Sequence, residues 1–505
     1  ELNMTITSFA YLLFLAAGVF IYYLLPRKWQ WVELLGLSIL FYCIVATPYT
    51  LIYVLIATAA VYFATAFLEK GGRKAATAGV IAVVINAVLW FALKGYALWA
   101  PLFQVMGITV KAPVAALGMG YYTLQAVGYI LDCYWGNSKP LKNPLQLLLF
   151  LCFFPQMITG PISRFHELED MYEGRGLSYQ NLTYGAQRIL WGFFKKLVLA
   201  ERVGVLVTAI WGDPWQYNGF YSWIAFVAFP LQLYADFSGC IDIALGTAEL
   251  FGIRLPENFN SPFFSRTTQE FWQRWHITLG TWTKDYILYP VLKCSAMQKL
   301  SRFLQKKWGK KNGKLAVTAV GMFCVWLFIG LWHGEMKYVV GESLWYWILL
   351  MLGEIFAKRC KKWKNALGIT EDSFSWHLFQ SIRTFLIYAI GIVFFRADNL
   401  KEAFSFLGDV GGVLIGRHFN PWVLFDGSME MLGIGSADLW VIFGGVVLLF
   451  VVGALREKYG YAREWVSRQL LPFRWLVWCG LFLFVVLYGK YGAQYDSVNF
   501  IYQAF

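Results

Sequence analysis

Charge is what this chain has little of. Only 14% of its 505 residues are Asp, Glu, Lys or Arg, against 58% hydrophobic and 19% aromatic residues. Soluble globular domains carry roughly a quarter charged residues, so that class is excluded. The eight cysteines are scattered singly, with no C-x-x-C pair. This excludes a disulfide framework and the usual zinc spacings. There is no G-x-S-x-G elbow, no phosphate-cradling Gly-Lys-Ser/Thr loop and no H-E-x-x-H, so the common serine-hydrolase, P-loop and zinc-peptidase sites are missing. No repeat recurs at a fixed period and no low-complexity linker interrupts the chain.

What is present is a series of apolar stretches of roughly 18 residues or more, the length that crosses a bilayer as a helix. The chain therefore reads as an all-α, polytopic membrane protein with one large membrane body. The first stretch, from about Ser8 to Leu25, lacks a basic start and an A-x-A-like exit and ends at Pro26-Arg27-Lys28. It reads as a retained first span.

The net charge of +13 gathers in loops. Lys293, Lys299, Arg302, Lys306, Lys307, Lys310, Lys311 and Lys314 form one run, and Lys358, Arg359, Lys361, Lys362 and Lys364 another. Basic loops between apolar spans mark the cytoplasmic face rather than a nucleic-acid partner. With these loops inside, a hairpin broken near Pro48 returns to Lys70, and a further span covers about Ala75 to Ala100. Leu315–Trp332 then leaves a basic loop outward, Gly341–Ala357 returns, and Leu378–Phe395 goes out again. The Gly-rich, acidic segment Arg396–Asp438 is external, and Leu439–Leu455 with Leu471–Tyr488 forms the last hairpin. The middle third is interrupted by Gly, Pro and charges. Such broken helices are tolerated at membrane depth only where protein buries them or they line a cavity. The chain divides into N-terminal spans (1–112), a core (113–396), and an external segment with its hairpin (397–505).

Five histidines stand in this apolar background. His166, His377 and His418 lie in polar or connecting segments and read as solvated or interfacial. His276 and His333 each follow a tryptophan in strongly apolar surroundings. An ionisable group at that depth is costly and marks a functional site by default. Imidazole is also the side chain suited to moving a proton near neutral pH. Read as a helix, Gln269 to Asp285 places Gln269, Gln273, His276, Gly280 and Lys284 on one polar stripe. That helix either lies at the interface, with His276 bonded to backbone, or lines a polar cavity. His333 closes a near-continuous apolar run and reads either as a structural histidine or as the base for a hydroxyl nucleophile. Glu335 is adjacent, but the sequence does not make it a triad partner.

The segment EFWQRWHITLGTWTKDYILYP and the later GLWHG resemble the two histidine signatures of the membrane-bound O-acyltransferases. FPQMITGPISRF from Phe154, YADFSGCIDIALGTAELFGIRLPENFNSPF from Tyr234, VFFRADNLKEAF from Val393 and the ending NFIYQAF are similar to the bacterial alginate O-acetyltransferase-like branch. The teichoic acid D-alanyl transferase is a nearer cousin of that branch than the eukaryotic lipid enzymes. One departure is Val291-Leu292-Lys293-Cys294, where many alginate-type members carry a Gly-Gly-Asn-like turn.

The resemblance implies a bundle of about 11 or more transmembrane helices, with shorter re-entrant or interfacial helices around a central tunnel. It implies that His333 is the catalytic base and His276 a second histidine of the tunnel, with Arg274, Trp275, Lys284, Asp285 and Trp332 around them. It implies no tightly bound cofactor or metal. The acyl donor would be a co-substrate, acetyl-CoA or an acyl carrier protein thioester. The acceptor would be an extracytoplasmic acetyltransferase or acyl-acceptor protein, serving an exported polysaccharide at a bacterial cytoplasmic membrane. Both histidines should face one polar cavity. A proton-coupled transporter is the alternative of a different class.

Overall fold

A computed structural model describes residues 4–491, so the NFIYQAF motif lies outside the described residues. Among the described residues the elements are helical, and nine helices are long and apolar enough to cross a membrane. Two shorter apolar helices, Phe9–Leu24 and Pro144–Gln156, accompany them. The protein is a multi-pass membrane protein. The span expected to reach Ala100 ends at Leu93, and a new helix, Tyr96–Val105, starts after Lys94-Gly95.

The chain forms two compact units. The first holds residues up to Leu199, Ala235–Asn258 and the chain from Tyr461 on. Its core includes Phe14, Phe41 and Phe154, whose rings meet at 5.5–6.0 Å. The helix Tyr179–Phe193 and the later half of Phe220–Leu250 cross at a glycine seam. A Cβ on Gly192 would stand 2.6 Å from the Gly239 carbonyl oxygen, and one on Gly185 would stand 2.7 Å from that of Gly246. Close backbone approach of this kind is how membrane helices gain packing without a hydrophobic drive between them.

Charges are buried or half-buried along this seam, and each is paired. Arg188 is bidentate to Glu257 at 2.6 and 2.7 Å and reaches Asp242 at 3.0 Å. Lys195 meets Asp242 at 2.6 Å, and Lys196 meets Asp236 at 2.5 Å. Three cations therefore face three carboxylates, the condition under which buried charge is tolerated.

The second unit holds Ala200–Tyr234 and Phe259–Gly460. The basic run expected as a loop is instead helical, within Ser295–Trp332, and is broken at Gly309, where φ is 79°. Met297 and Leu304 pack on Val317, so the basic stretch lies folded against the foot of the span. Its lysines leave one apolar face free to do this, which a purely charge-based reading passes over. The next span, Trp345–Ala366, is pinned by side-chain donors at its start. Trp345 donates to the Ile387 carbonyl (3.0 Å), Tyr346 to that of Tyr388 (2.9 Å) and Trp347 to that of Ala319 (2.9 Å). In an apolar medium such bonds fix the rotation of a helix that packing alone leaves loose.

Candidate active site

Both histidines belong to the second unit. The polar-stripe helix does not form in one piece. Thr268–Arg274 ends at Trp275, and Ile277–Thr283 starts after His276, which has φ 48° and ψ 50°. The left-handed region is uncommon for a residue with a Cβ and concentrates at functional sites. A distant segment holds the break: Phe259 and Trp275 form an antiparallel bridge, and the Asn260 amide donates to the Arg274 carbonyl at 2.9 Å. The Trp275 ring is set among Tyr234, Phe259, Phe271 and Tyr388. His276 is thereby turned inward, 4% exposed, rather than onto a wet helix face.

His333 is the C-cap of Ser295–Trp332 and sits at the turn of a helical hairpin, 3% exposed. Trp332 meets both histidines, its ring 6.2 Å from that of His276 and 5.0 Å from that of His333. Tyr338 and Phe395 close on His333 at 5.7 and 5.1 Å. Burial first, and then the neighbouring His333, pushes the His276 imidazole down to about 3, which keeps it neutral at neutral pH.

The other expected residues sit elsewhere. Arg274 is taken up by Glu457 at 2.5 Å and Glu270 at 2.8 Å, which ties its short helix to Ser436–Tyr459. Lys284 is exposed, its ammonium 5.6 Å from the centre of the Tyr289 ring. Asp285, next along the chain, is half-buried. Glu335 pairs with Lys337 at 3.2 Å and does not serve His333.

The residue that sequence reasoning missed is Glu342. Its Oε2 is 3.2 Å from His333 Nε2, with side-chain exposures of 5% and 1%. No aligned hydrogen bond reaches that oxygen, so the contact is one of charge and proximity. Glu342 stands in the π-helical turn Val339–Leu344. Ser343 beside it donates to the Trp326 carbonyl at 2.6 Å, and Gly330 faces Ser343 so closely that a Cβ there would lie 2.1 Å from its Oγ. The signal available in the sequence was an acidic residue inside an apolar span, which is costly unless paired.

A buried imidazole beside a carboxylate, with a second neutral imidazole in contact with the same indole ring, is equipped to take and return a proton out of contact with bulk water. The sequence pattern of the MBOAT, membrane-bound O-acyltransferase family, matches residues 138–391, which include both histidines. The chain belongs to the membrane-bound O-acyltransferase family. It is 30% identical over 344 residues to a probable alginate O-acetylase AlgI of Pseudomonas syringae, covering 68% of this chain and 59% of that protein. It is 27% identical over 343 residues to a peptidoglycan O-acetyltransferase of Helicobacter pylori, covering 63% of this chain and 59% of that one. It is 29% identical over 258 residues to a teichoic acid D-alanyltransferase of Bacillus subtilis, covering 50% and 62%. The matches span less than two thirds of the length of each of these curated relatives.

Proposed function

We propose that this membrane-bound O-acyltransferase family member carries an acyl group, acetyl in the first instance, from a thioester donor to a hydroxyl acceptor, with His333 as general base. The observation that supports this reading is the burial of His333 and His276, both in ring contact with Trp332. The donor is acetyl-CoA or an acyl carrier protein thioester arriving from the cytoplasm, where the basic segments attract its phosphates or an acidic carrier. The acceptor hydroxyl comes from the outer side, on a partner protein or on an exported polysaccharide. His333 takes the hydroxyl proton as the oxygen attacks the thioester carbonyl. The tetrahedral intermediate collapses, the C–S bond breaks, and the departing sulfur takes the proton back from the imidazolium. His276 stays neutral and shapes the passage.

A second reading, D-alanyl transfer toward teichoic acid, is supported by the likeness to the Bacillus subtilis protein. Mass spectrometry of the surface polymer, from cells with and without this protein, separates the two. An acetyl mass difference supports the first reading and a D-alanyl difference the second. His333→Ala should abolish either difference while the protein remains in the membrane. Unchanged polymer acylation in that variant would refute the base. Substrate flux in proteoliposomes without any acyl donor would favour a transporter.

A further inference from the structure

We propose that Glu342 is the positioning residue of this site: its carboxylate sets the orientation of the His333 ring and offsets the charge that ring acquires during transfer. The inference rests on the reading of His333 as the base.

A carboxylate in an apolar interior is costly unless a positive partner is near. Among the described residues, His333 is the cation-forming side chain within ion-pair distance of Glu342. The adjacent carboxylate, Glu335, is instead engaged by Lys337 and by the Tyr338 hydroxyl. The pair is also enclosed, with the rings of Trp332, Tyr338 and Phe395 around His333. A buried carboxylate beside an imidazole is well placed for a reaction in which protonation of that imidazole is a step.

The geometry gives the contact a direction. It is made through Nε2, 3.2 Å from the carboxylate and not aligned as a hydrogen bond, so a His333 ring that turns its Nε2–H onto Glu342 during the reaction carries its basic lone pair on Nδ1. When the acceptor's O–H bond breaks and the proton moves to Nδ1, the ring becomes an imidazolium. The Glu342 carboxylate then stabilises that cation until the departing sulfur takes the proton. Glu342 itself is neither protonated nor consumed. This is the arrangement in which a carboxylate fixes the tautomer of a base and stabilises its charged form without relaying the proton. The backbone is shaped to deliver it. The π turn at Val339–Leu344 and the Ser343 bond to the Trp326 carbonyl place Glu342 against the C-terminal end of the helix that His333 caps.

The test compares His333→Ala, Glu342→Gln and Glu342→Asp in purified, detergent-solubilised full-length protein, with radiolabelled acetyl-coenzyme A as the probe and thermal melting read in parallel. His333→Ala should be inactive. Glu342→Gln, which keeps the shape and removes the charge, should lower kcat about 10- to 100-fold, less than the roughly 10²–10⁴-fold that a general base itself contributes. The KM for acetyl-coenzyme A should be unchanged, because a packing defect moves both constants and a lost charge at the base moves kcat. Glu342→Asp should recover part of the loss. An inactive His333→Ala with a fully active Glu342→Gln overturns the role of Glu342 and leaves the base in place. An active His333→Ala overturns the reading beneath it. Should Glu342→Gln melt early, Glu342→Asp decides: recovery above Gln supports the proposal, and equal loss in both overturns it.

Discussion

Replacing Gly330 with Ala tests how His333, the proposed base, is held. The new Cβ would stand 2.1 Å from Ser343 Oγ, well inside the 3.4 Å where ordinary contact begins. Ser343 can rotate away only by giving up its buried bond to the Trp326 carbonyl, worth about 0.5–1.5 kcal/mol. Even then the Tyr338 carbonyl oxygen and Val339 Cα remain at 3.1 Å, so the backbone of the π turn must also shift. Overpacking of this kind costs about 1–3 kcal/mol. The shift falls on the turn that presents Glu342 to His333, and misplacement of a catalytic group by about 1 Å can cost 10²-fold in rate. Gly330→Ala should therefore melt earlier and lose activity by more than its folded fraction explains. Ser343→Ala removes the atom that is struck. By itself it should cost about 1 kcal/mol for the lost bond, and combined with Gly330→Ala it should recover part of the activity. A double-mutant cycle in purified protein, scored by melting temperature and acyl transfer, reads the coupling. If Gly330→Ala matches the wild type in both, or the two changes simply add, the close approach does not hold the site.

Arg188→Met should destabilise the first unit by about 1–3 kcal/mol, because it leaves the half-buried Glu257 without its bidentate partner; a wild-type melting temperature would refute this. His276→Asn should keep its fold, since Asn accepts the left-handed backbone, and lose acyl transfer. His276→Val should cost about 1–3 kcal/mol in melting through strain. Equal melting of these two variants would show that the backbone at His276 carries no constraint. Glu457→Gln should leave transfer within about twofold and stability within about 1 kcal/mol, as expected of a partly exposed pair; a large loss would place Arg274 in the chemistry. A membrane-impermeant thiol reagent should label the exposed Cys294 and Cys360 in inside-out vesicles and not in intact cells; the reverse would overturn the assignment of the basic segments to the cytoplasm.

The spans were legible because apolar length and basic flanks are local properties of the sequence. His276 and His333 stood out for the same reason: each is a chemical exception in its own window. The break at His276 was not legible. Thr268 to Thr283 carries no residue that forbids a helix, and a bridge to Phe259 from outside that window imposes the left-handed turn. Glu342 was hidden by geometry of another kind. On an uninterrupted helix, positions 333 and 342 would fall on opposite faces. They meet because the chain turns at Gly334, where φ is 92°, and then widens into a π turn. The basic segment before Gly309 was expected as a loop because its charge was read without its apolar stripe of Met297, Leu300 and Leu304.

The π turn at Val339–Leu344 makes chain length a functional variable at this place. A π turn holds one residue more than the α turn it interrupts, the signature of a tolerated insertion. Removing one residue ahead of Glu342 would restore ordinary helical register and swing its side chain about 100° around the axis. The apolar span would survive that deletion with its hydropathy intact, while His333 would lose the carboxylate beside it. Among homologous chains, gain or loss of a single residue here is therefore a change of chemistry that composition and hydropathy would not register.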